Sequence, residues 1–235
     1  MVQHKVVSQA EWTEARKRFL AKEKEFTRLR DELSRERREL PWVRLDKQYV
    51  FDGPDGKESL ADLFVGHHQL IVQHFMFDPG WDAACKSCSF WADGFDGYFV
   101  HLAQRDVAFV AISRAPLDKL AAFKKRMGWR FKWVSSLGND FNQDYQVSES
   151  PQEKVKGEAY YNYSIRDAWS GERPGISVFY RDDAGAIFHT YSCYARGLDM
   201  LNGAYHYLDL TPKGRDEDGL SYHMEWVRLH DSYGG

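Results

Sequence analysis

The sequence predicts an α/β protein, a mixed central sheet flanked by helices, preceded by a helical arm and interrupted by an insertion before a C-terminal hairpin. Three observations carry this expectation. The buried-type apolar runs "QLIVQHFMF" and "VAFVAISR" alternate with stretches of helical period. "ISVFY" and "AIFHTYS" flank the turn residues of "RDDAG", as in an antiparallel hairpin. The first forty residues repeat apolar positions at threes, fours and sevens along an otherwise charged stretch. The boundaries that follow are an arm over 1–40, a domain over 41–210 with an insertion or lid at 138–173, and a tail over 211–235.

The arm begins where Ser8 and Glu11 have capping-box spacing, each side chain able to satisfy a backbone donor of the first turn. Trp12, Ala15, Phe19, Phe26, Leu29, Leu33 and Leu40 then draw a narrow stripe that Lys22 and Glu36 interrupt. Such a helix suits an arm laid on its own domain or on a second copy better than a free coiled coil. Pro41 closes it. "WVRLDKQYVFDGPDGKESLADLF" reads as a strand, a turn at Gly53-Pro54-Asp55-Gly56 and a short helix after Ser59. The strand "QLIVQHFMF" comes next, then a helix within 89–104 weakened by Gly94 and Gly97, then the strand "VAFVAISR". "APLDKLAAFKKRMGW" places Leu117, Leu120, Ala121 and Phe123 on one helical face, and "FKWVSS" is a short strand. Residues 138–173 are polar, rich in Tyr, Asn, Ser and Gly, and lack a period. The hairpin follows, then a closing helix in "GLDMLNGAYHYLDL" and a polar tail with one aromatic segment, "HMEWVRL".

The 235 residues carry 32 Lys+Arg against 35 Asp+Glu, a formal charge of −3, so the balance argues against nucleic acid and against an anionic membrane as partners. No apolar run approaches the ~20 residues that span a bilayer, and "MVQHKVVSQAEW" lacks the order of a secretory signal, which together lead us to expect a cytoplasmic protein. Three cysteines are too few for a disulfide framework and suit thiols kept reduced. Two of them, Cys85 and Cys88, form a C-x-x-C in "DPGWDAACKSCSFW", directly after a strand.

Parallel strands, a cysteine motif behind one of them and a terminal hairpin plus helix describe the thioredoxin-like architecture. "VAFVAISRAPLDKLAAFKKRMGWRFKWVSS" resembles the strand, alanine-rich helix and short strand of peroxiredoxins and their thiol-disulfide relatives, and "GISVFYRDDAGAIFHTYS" resembles their hairpin. Over nearly its full length, including "LDLTPKGRDE" and "EWVRLHDSY", the chain is similar to a bacterial family of unknown function (domain of unknown function 899) within that superfamily. The resemblance implies a fold and carries no settled activity with it.

A thiol at the first turn of a helix faces unpaired N–H groups and the positive end of the macrodipole, which favour thiolate. Cys85 is therefore expected to be the nucleophile and Cys88, one turn deeper, the resolving thiol of a thiol-disulfide oxidoreductase or thiol-dependent reductase. Its substrate would be a small-molecule or protein disulfide, recycled by an unidentified reductant, with no cofactor. Lys86 folding back would favour the thiolate, Trp81 would shield the pair, and Asp78 or Asp82 would shape the loop or relay protons. By the resemblance, Ser177 stands where thioredoxins have a cis-proline, and Asp82 where a peroxiredoxin has its threonine; the usual peroxidase motif is absent, although Arg114 remains as an electrostatic partner. A copper(I) site is the alternative, built from Cys85 and Cys88 with Cys193 and His189, or with His74 or His206. A non-catalytic interaction module, dimeric through the arm, is the third reading. For the single residues a structural role is the simpler expectation: Cys193 filling a strand end, His74 hydrogen-bonded in the core, His67 and His68 solvated.

Overall fold

The computed structural model describes residues 4–169 and 171–234; residues 1–3 of the arm, 170 of the insertion and 235 of the tail lie outside the described residues. The chain divides into two units, Met1–Pro41 and Trp42–Gly235.

The first unit is one helix, α1 (Gln9–Arg38), opened by the Ser8/Glu11 capping box and carrying Arg35, Arg37 and Arg38 in its last turn, where cations suit the helix dipole. The Arg16–Glu23 ion pair at 2.7 Å and Lys17–Glu14 at 2.8 Å lace its charged surface. Its apolar stripe, from Trp12 to Leu33, is exposed.

The second unit is built on an eight-stranded sheet. Its strands are β1 (Val43–Arg44), β2 (Val50–Gly53), β3 (Gly56–Ser59), β4 (Gln69–His74), β5 (Val107–Ser113), β6 (Lys132–Ser135), β9 (Gly175–Arg181) and β10 (Ile187–Tyr194), in the spatial order β1-β10-β9-β4-β5-β6-β2-β3. The centre, β4, β5 and β6, is parallel. β9 adds antiparallel to β4, and β10 antiparallel to β9. Helices α2 (Lys86–Phe95) and α3 (Phe99–Ala103) connect β4 to β5, and α4 (Leu117–Met127) connects β5 to β6. These crossovers cover one face of the sheet, since parallel neighbours require a long connection. The Asp96 carboxylate accepts the Arg130 and Phe131 amides at 2.6 and 3.0 Å, and the chain turns between α2 and α3 where a single helix within 89–104 was expected.

The segment 50–59 holds a hairpin rather than one strand. β3, "GKES", is too polar to read as a strand, yet it pairs with β2 through main-chain bonds, and Lys57 meets Asp52 directly opposite at 2.6 Å. The insertion is also folded. It contains α5 (Phe141–Asp144), α6 (Pro151–Lys156) and a separate ribbon of β7 (Glu158–Tyr161) and β8 (Ser164–Asp167). A second capping box, Ser150 with Glu153 and Pro151 at N1, starts α6. The closing helix is split into a 3-10 stretch, Ala195–Leu201, and α7 (Gly203–Leu208). The C-terminal segment packs onto α2: Val227 is fully buried and the Trp226 ring meets Phe90 edge-on at 5.6 Å.

Two apolar layers lie on opposite sides of the sheet. Leu70, Val72, Val110, Ile112 and Phe179 join Phe51, Phe64 and Phe141 on one side. Phe75, Ala111 and Trp133 join Cys88, Ala92, Leu120 and Phe123, from α2 and α4, on the other. Alternation along each strand decides which layer a side chain enters.

Candidate active site at the Cys85–Cys88 pair

β4 ends at His74, and its path continues to Phe77: the Phe75 amide bonds the Ile112 carbonyl at 2.9 Å, and the Ala115 amide bonds the Phe77 carbonyl at 2.8 Å. The chain then loops through Asp78-Pro79-Gly80-Trp81 and returns, so that the Cys85 amide bonds the Met76 carbonyl at 3.0 Å. Three contacts hold this loop. The Asp78 carboxylate takes the Gly80 amide at 2.8 Å; Lys119 of α4 donates to the Pro79 and Trp81 carbonyls at 2.8 and 3.0 Å; and Arg114 stands 3.7 Å from Asp78. Trp81 lies partly buried against the α2 and α4 layer, while Asp82 is exposed.

Cys85 occupies the N-cap position of α2, and Cys88 the third position of the helix. The spacing places both thiols on one side of the first turn. Cys85 is partly exposed; Cys88 is buried at 5% exposure. The two are hydrogen-bond partners, with the Cys88 thiol donating. That bond is the main reason the Cys85 pKa is drawn down to about 6; burial opposes it, and the Cys88 and Ser87 amides and the Ser87 hydroxyl assist. Cys88 is pushed well up, first by donating to Cys85, then by burial and by the neighbouring negative charge. The pair is thus split into one thiolate and one retained proton. None of the three cysteines is in a disulfide.

Several expected partners lie elsewhere. Lys86 does not fold back on Cys85: its ammonium donates to the Glu225 carbonyl at 3.0 Å and lies 5.9 Å from the Tyr222 ring centre, because the C-terminal segment offers it a half-buried acceptor. Ser177 pairs with Val72 and so faces the layer opposite the dithiol. There its hydroxyl joins a buried chain, His74 Nε2 to Ser177 Oγ at 2.8 Å, Ser177 Oγ to Ser192 Oγ at 2.8 Å, and Ser192 Oγ to His189 Nε2 at 2.7 Å. Burial lowers the His74 pKa to about 3, with His189 adding to the shift. The copper set is divided by the same alternation. Cys193 pairs with Ile176 and packs with Leu198 on the α2 side, whereas His189 lies against Tyr145 and Phe179 on the other. His206 is exposed on α7 and bonds the Met200 carbonyl. Among the described residues no group of three or more His, Cys, Asp or Glu side chains is arranged to hold a metal ion.

Other residues flank the site, and of these only Arg114 is singled out by the sequence. Arg114 is held by Glu172 at 2.8 Å, a carboxylate only 1% exposed that also accepts from Ser148 at 2.5 Å and Asn142 at 3.2 Å. Burial raises the Glu172 pKa, and these donors work against it. Pro174, rather than Ser177, borders the same cavity as Cys88. Tyr161 of the insertion donates to the Pro174 carbonyl at 2.8 Å and accepts the Ala195 amide at 3.0 Å, tying the insertion to the ends of β9 and β10. A Cβ at Gly175 would meet the Tyr194 ring at 2.7 Å, so this approach requires glycine. No residue type announces these contacts; Tyr161, within "EAYYNYS", belongs to a stretch that reads equally as a pocket lining or as a lid packed on its own domain.

Strand order and the dithiol at the end of β4 define a thioredoxin-like protein with a C-x-x-C at a helix start. The model of the bacterial proteins of unknown function DUF899 matches residues 1–233, and the chain belongs to this family. No curated protein matches the sequence. Among solved structures, the chain is similar to peroxidoxin BcpB from Mycobacterium tuberculosis (11% identity, 69% of this chain and 93% of that one, TM-score 0.42). It is also similar to peroxiredoxin Q of Xanthomonas campestris (13%, 66% and 88%, TM-score 0.42) and to the mitochondrial 2-cys peroxiredoxin of Plasmodium falciparum (13%, 70% and 91%, TM-score 0.40). No helix among the described residues is long and apolar enough to cross a membrane.

Proposed function

We propose that the protein is a thiol-disulfide oxidoreductase with Cys85 as nucleophile and Cys88 as resolving thiol. The observation that supports this reading is the asymmetry of the pair: a partly exposed sulfur held as thiolate at a helix start, bonded to a buried thiol that keeps its proton. The Cys85 thiolate attacks one sulfur of a disulfide and expels the other as thiolate; Cys88 then attacks the mixed disulfide and releases the second thiol. The pair loses two electrons in the cycle and is returned to the dithiol by an external dithiol. The copper reading has no comparable support, since its remaining ligands do not converge on the pair.

Cys85→Ser tests the assignment. It is expected to abolish disulfide reduction, while Cys88→Ser accumulates a mixed disulfide visible by mass spectrometry without reductant. Retained turnover in Cys85→Ser would overturn the assignment.

A further inference from the structure

Cys88, rather than Cys85, borders a cavity of about 290 Å³ enclosed by α2, the turn after β10, α7 and the C-terminal segment. Its apolar walls are Met76, Trp91, Pro174, Leu198, Tyr205 and Met224. The charges around it are already matched. Arg215 grips Asp199 through two bonds of 2.9 Å and reaches Asp209 at 2.7 Å. The Glu217 carboxylate accepts from Tyr205 and Trp226 at 2.7 Å and from the Met224 amide at 3.0 Å, with His223 3.3 Å away. Gln73 differs from them: it lines the cavity at 3% exposure, and its carboxamide forms no hydrogen bond with the described residues. Exposed Arg196 and His223 stand at the rim.

We propose that this cavity is the substrate site of the dithiol and takes a small, uncharged, largely apolar organic disulfide, with Gln73 as its polar anchor. The inference rests on the redox reading above and names its substrate class. Size sets the first limit. An apolar cavity of ~150 Å³ accommodates a benzene, so this one holds a ligand of roughly two such rings and no folded polypeptide. Charge sets the second. A carboxylate or ammonium entering it would lose its hydration and find Arg215, Asp199 and Glu217 already paired, with Arg196 left out at the exposed rim. A buried amide with both donor and acceptor unused selects instead for one neutral polar group. Position sets the third, because a disulfide lying there has a sulfur beside Cys88, one helical turn from Cys85. Cys85 attacks that sulfur, the S–S bond breaks, and the departing thiolate takes its electron pair and the Cys88 proton. Cys88, now thiolate, attacks Cys85 and releases the second thiolate, which takes a proton from water. The sum is one thiolate-thiol pair, one disulfide and one proton converted to a protein disulfide and two thiols; an external dithiol reverses it.

The test uses the reduced full-length protein and three probes: dipyridyl disulfide, di-n-propyl disulfide and bis(carboxyphenyl) disulfide. Each oxidation rate is divided by that probe's rate with a small thiol in solution. Both neutral probes are expected to react at least about tenfold faster than the dicarboxylate, and to saturate, as an unmatched charge implies. Gln73→Leu is expected to slow dipyridyl disulfide severalfold and leave di-n-propyl disulfide unchanged. Met224→Arg is expected to turn the preference toward the dicarboxylate. Equal normalised rates without saturation would overturn the cavity and leave the oxidoreductase standing. Failure of every probe to oxidise the pair would remove the oxidoreductase and the substrate site with it.

Discussion

Removing the Cys88 thiol is the sharpest perturbation of the site, because that thiol is the largest contributor to the low pKa of Cys85. A hydrogen bond to a charged acceptor stabilises by about 1.5–3 kcal/mol, or ~1–2 pKa units, so Cys88→Ala is expected to raise Cys85 from about 6 to roughly 7.5. Rate at a single pH is a poor readout of this change. A thiolate of higher pKa is also more nucleophilic, by about 0.4–0.5 log unit per pKa unit, which offsets its smaller population. For a shift of ~1.5 units the two effects make the variant about sixfold slower than wild type at pH 5 and about fourfold faster at pH 8, so the profiles cross. Iodoacetamide alkylation followed by mass spectrometry on the Cys85 peptide measures both curves. Cys88→Ser is the control: its hydroxyl keeps a donor, so its curve is expected to stay near the wild-type one. Curves for Cys88→Ala and wild type with a common midpoint, or a wild-type midpoint at the ~8.5 of an ordinary thiol, would refute the account of the pair.

Three further outcomes follow from buried polar groups. Glu172→Ala strands Arg114, Ser148 and Asn142 and is expected to cost ~2–4 kcal/mol in urea unfolding; a loss under about 0.5 kcal/mol would show that the carboxylate is not what ties insertion to sheet. His74, held neutral down to about pH 3, adds stability above its ordinary pKa of ~6.5 that is lost as pH falls, at ~1.4 kcal/mol per unit. Unfolding at pH 7.5 and pH 5 is expected to show this slope and His74→Gln to flatten it; equal slopes would contradict the assignment. Trp226→Ala removes the ring against Phe90 and a donor to Glu217, and is expected to lower stability by ~2–3 kcal/mol; an unchanged melting temperature would mean that the C-terminal segment does not brace α2.

The central strands and the hairpin were legible because their burial demands apolar, β-branched residues, and α1 because a capping box and a charged rod leave little else. Other elements followed rules that residue type alone does not express. β3 is held by main-chain bonds and one Lys57–Asp52 pair, so its sequence stays polar. The α6 start did carry a signal, Ser150 three before Glu153 with Pro151 between, inside a segment read as irregular. Ser177 and His189 fall on the face away from the dithiol through strand alternation: Ile176 and Cys193 face α2, while Ser177, Ser192 and His189 face away. A motif aligned along the chain cannot fix that parity, since shifting by one residue exchanges the faces. Lys86 was misjudged for a related reason, as its acceptor, the Glu225 carbonyl, lies in a segment whose residues read as a solvated tail.

The spacing that identified the pair carries a physical meaning beyond motif recognition. Ser8 with Glu11, and Ser150 with Glu153, start helices from an N-cap acceptor and a partner three residues on. Cys85 and Cys88 occupy these same two positions in α2. A thiol is a weak acceptor, and Cys85 makes no conventional side-chain cap. As thiolate, its sulfur attracts the Ser87 and Cys88 amides, which a serine oxygen would otherwise satisfy, and the Cys88 thiol; the Cys85 amide, which a capping-box glutamate would accept, goes to the Met76 carbonyl. Ionising Cys85 therefore completes the cap, and the helix start and the thiolate stabilise each other. Oxidation to a Cys85–Cys88 disulfide removes both the negative charge and the thiol donor, leaving those amides without their acceptor. The reduced state is thereby favoured, so under the proposed function the pair is expected to be a more oxidising couple than an unperturbed dithiol.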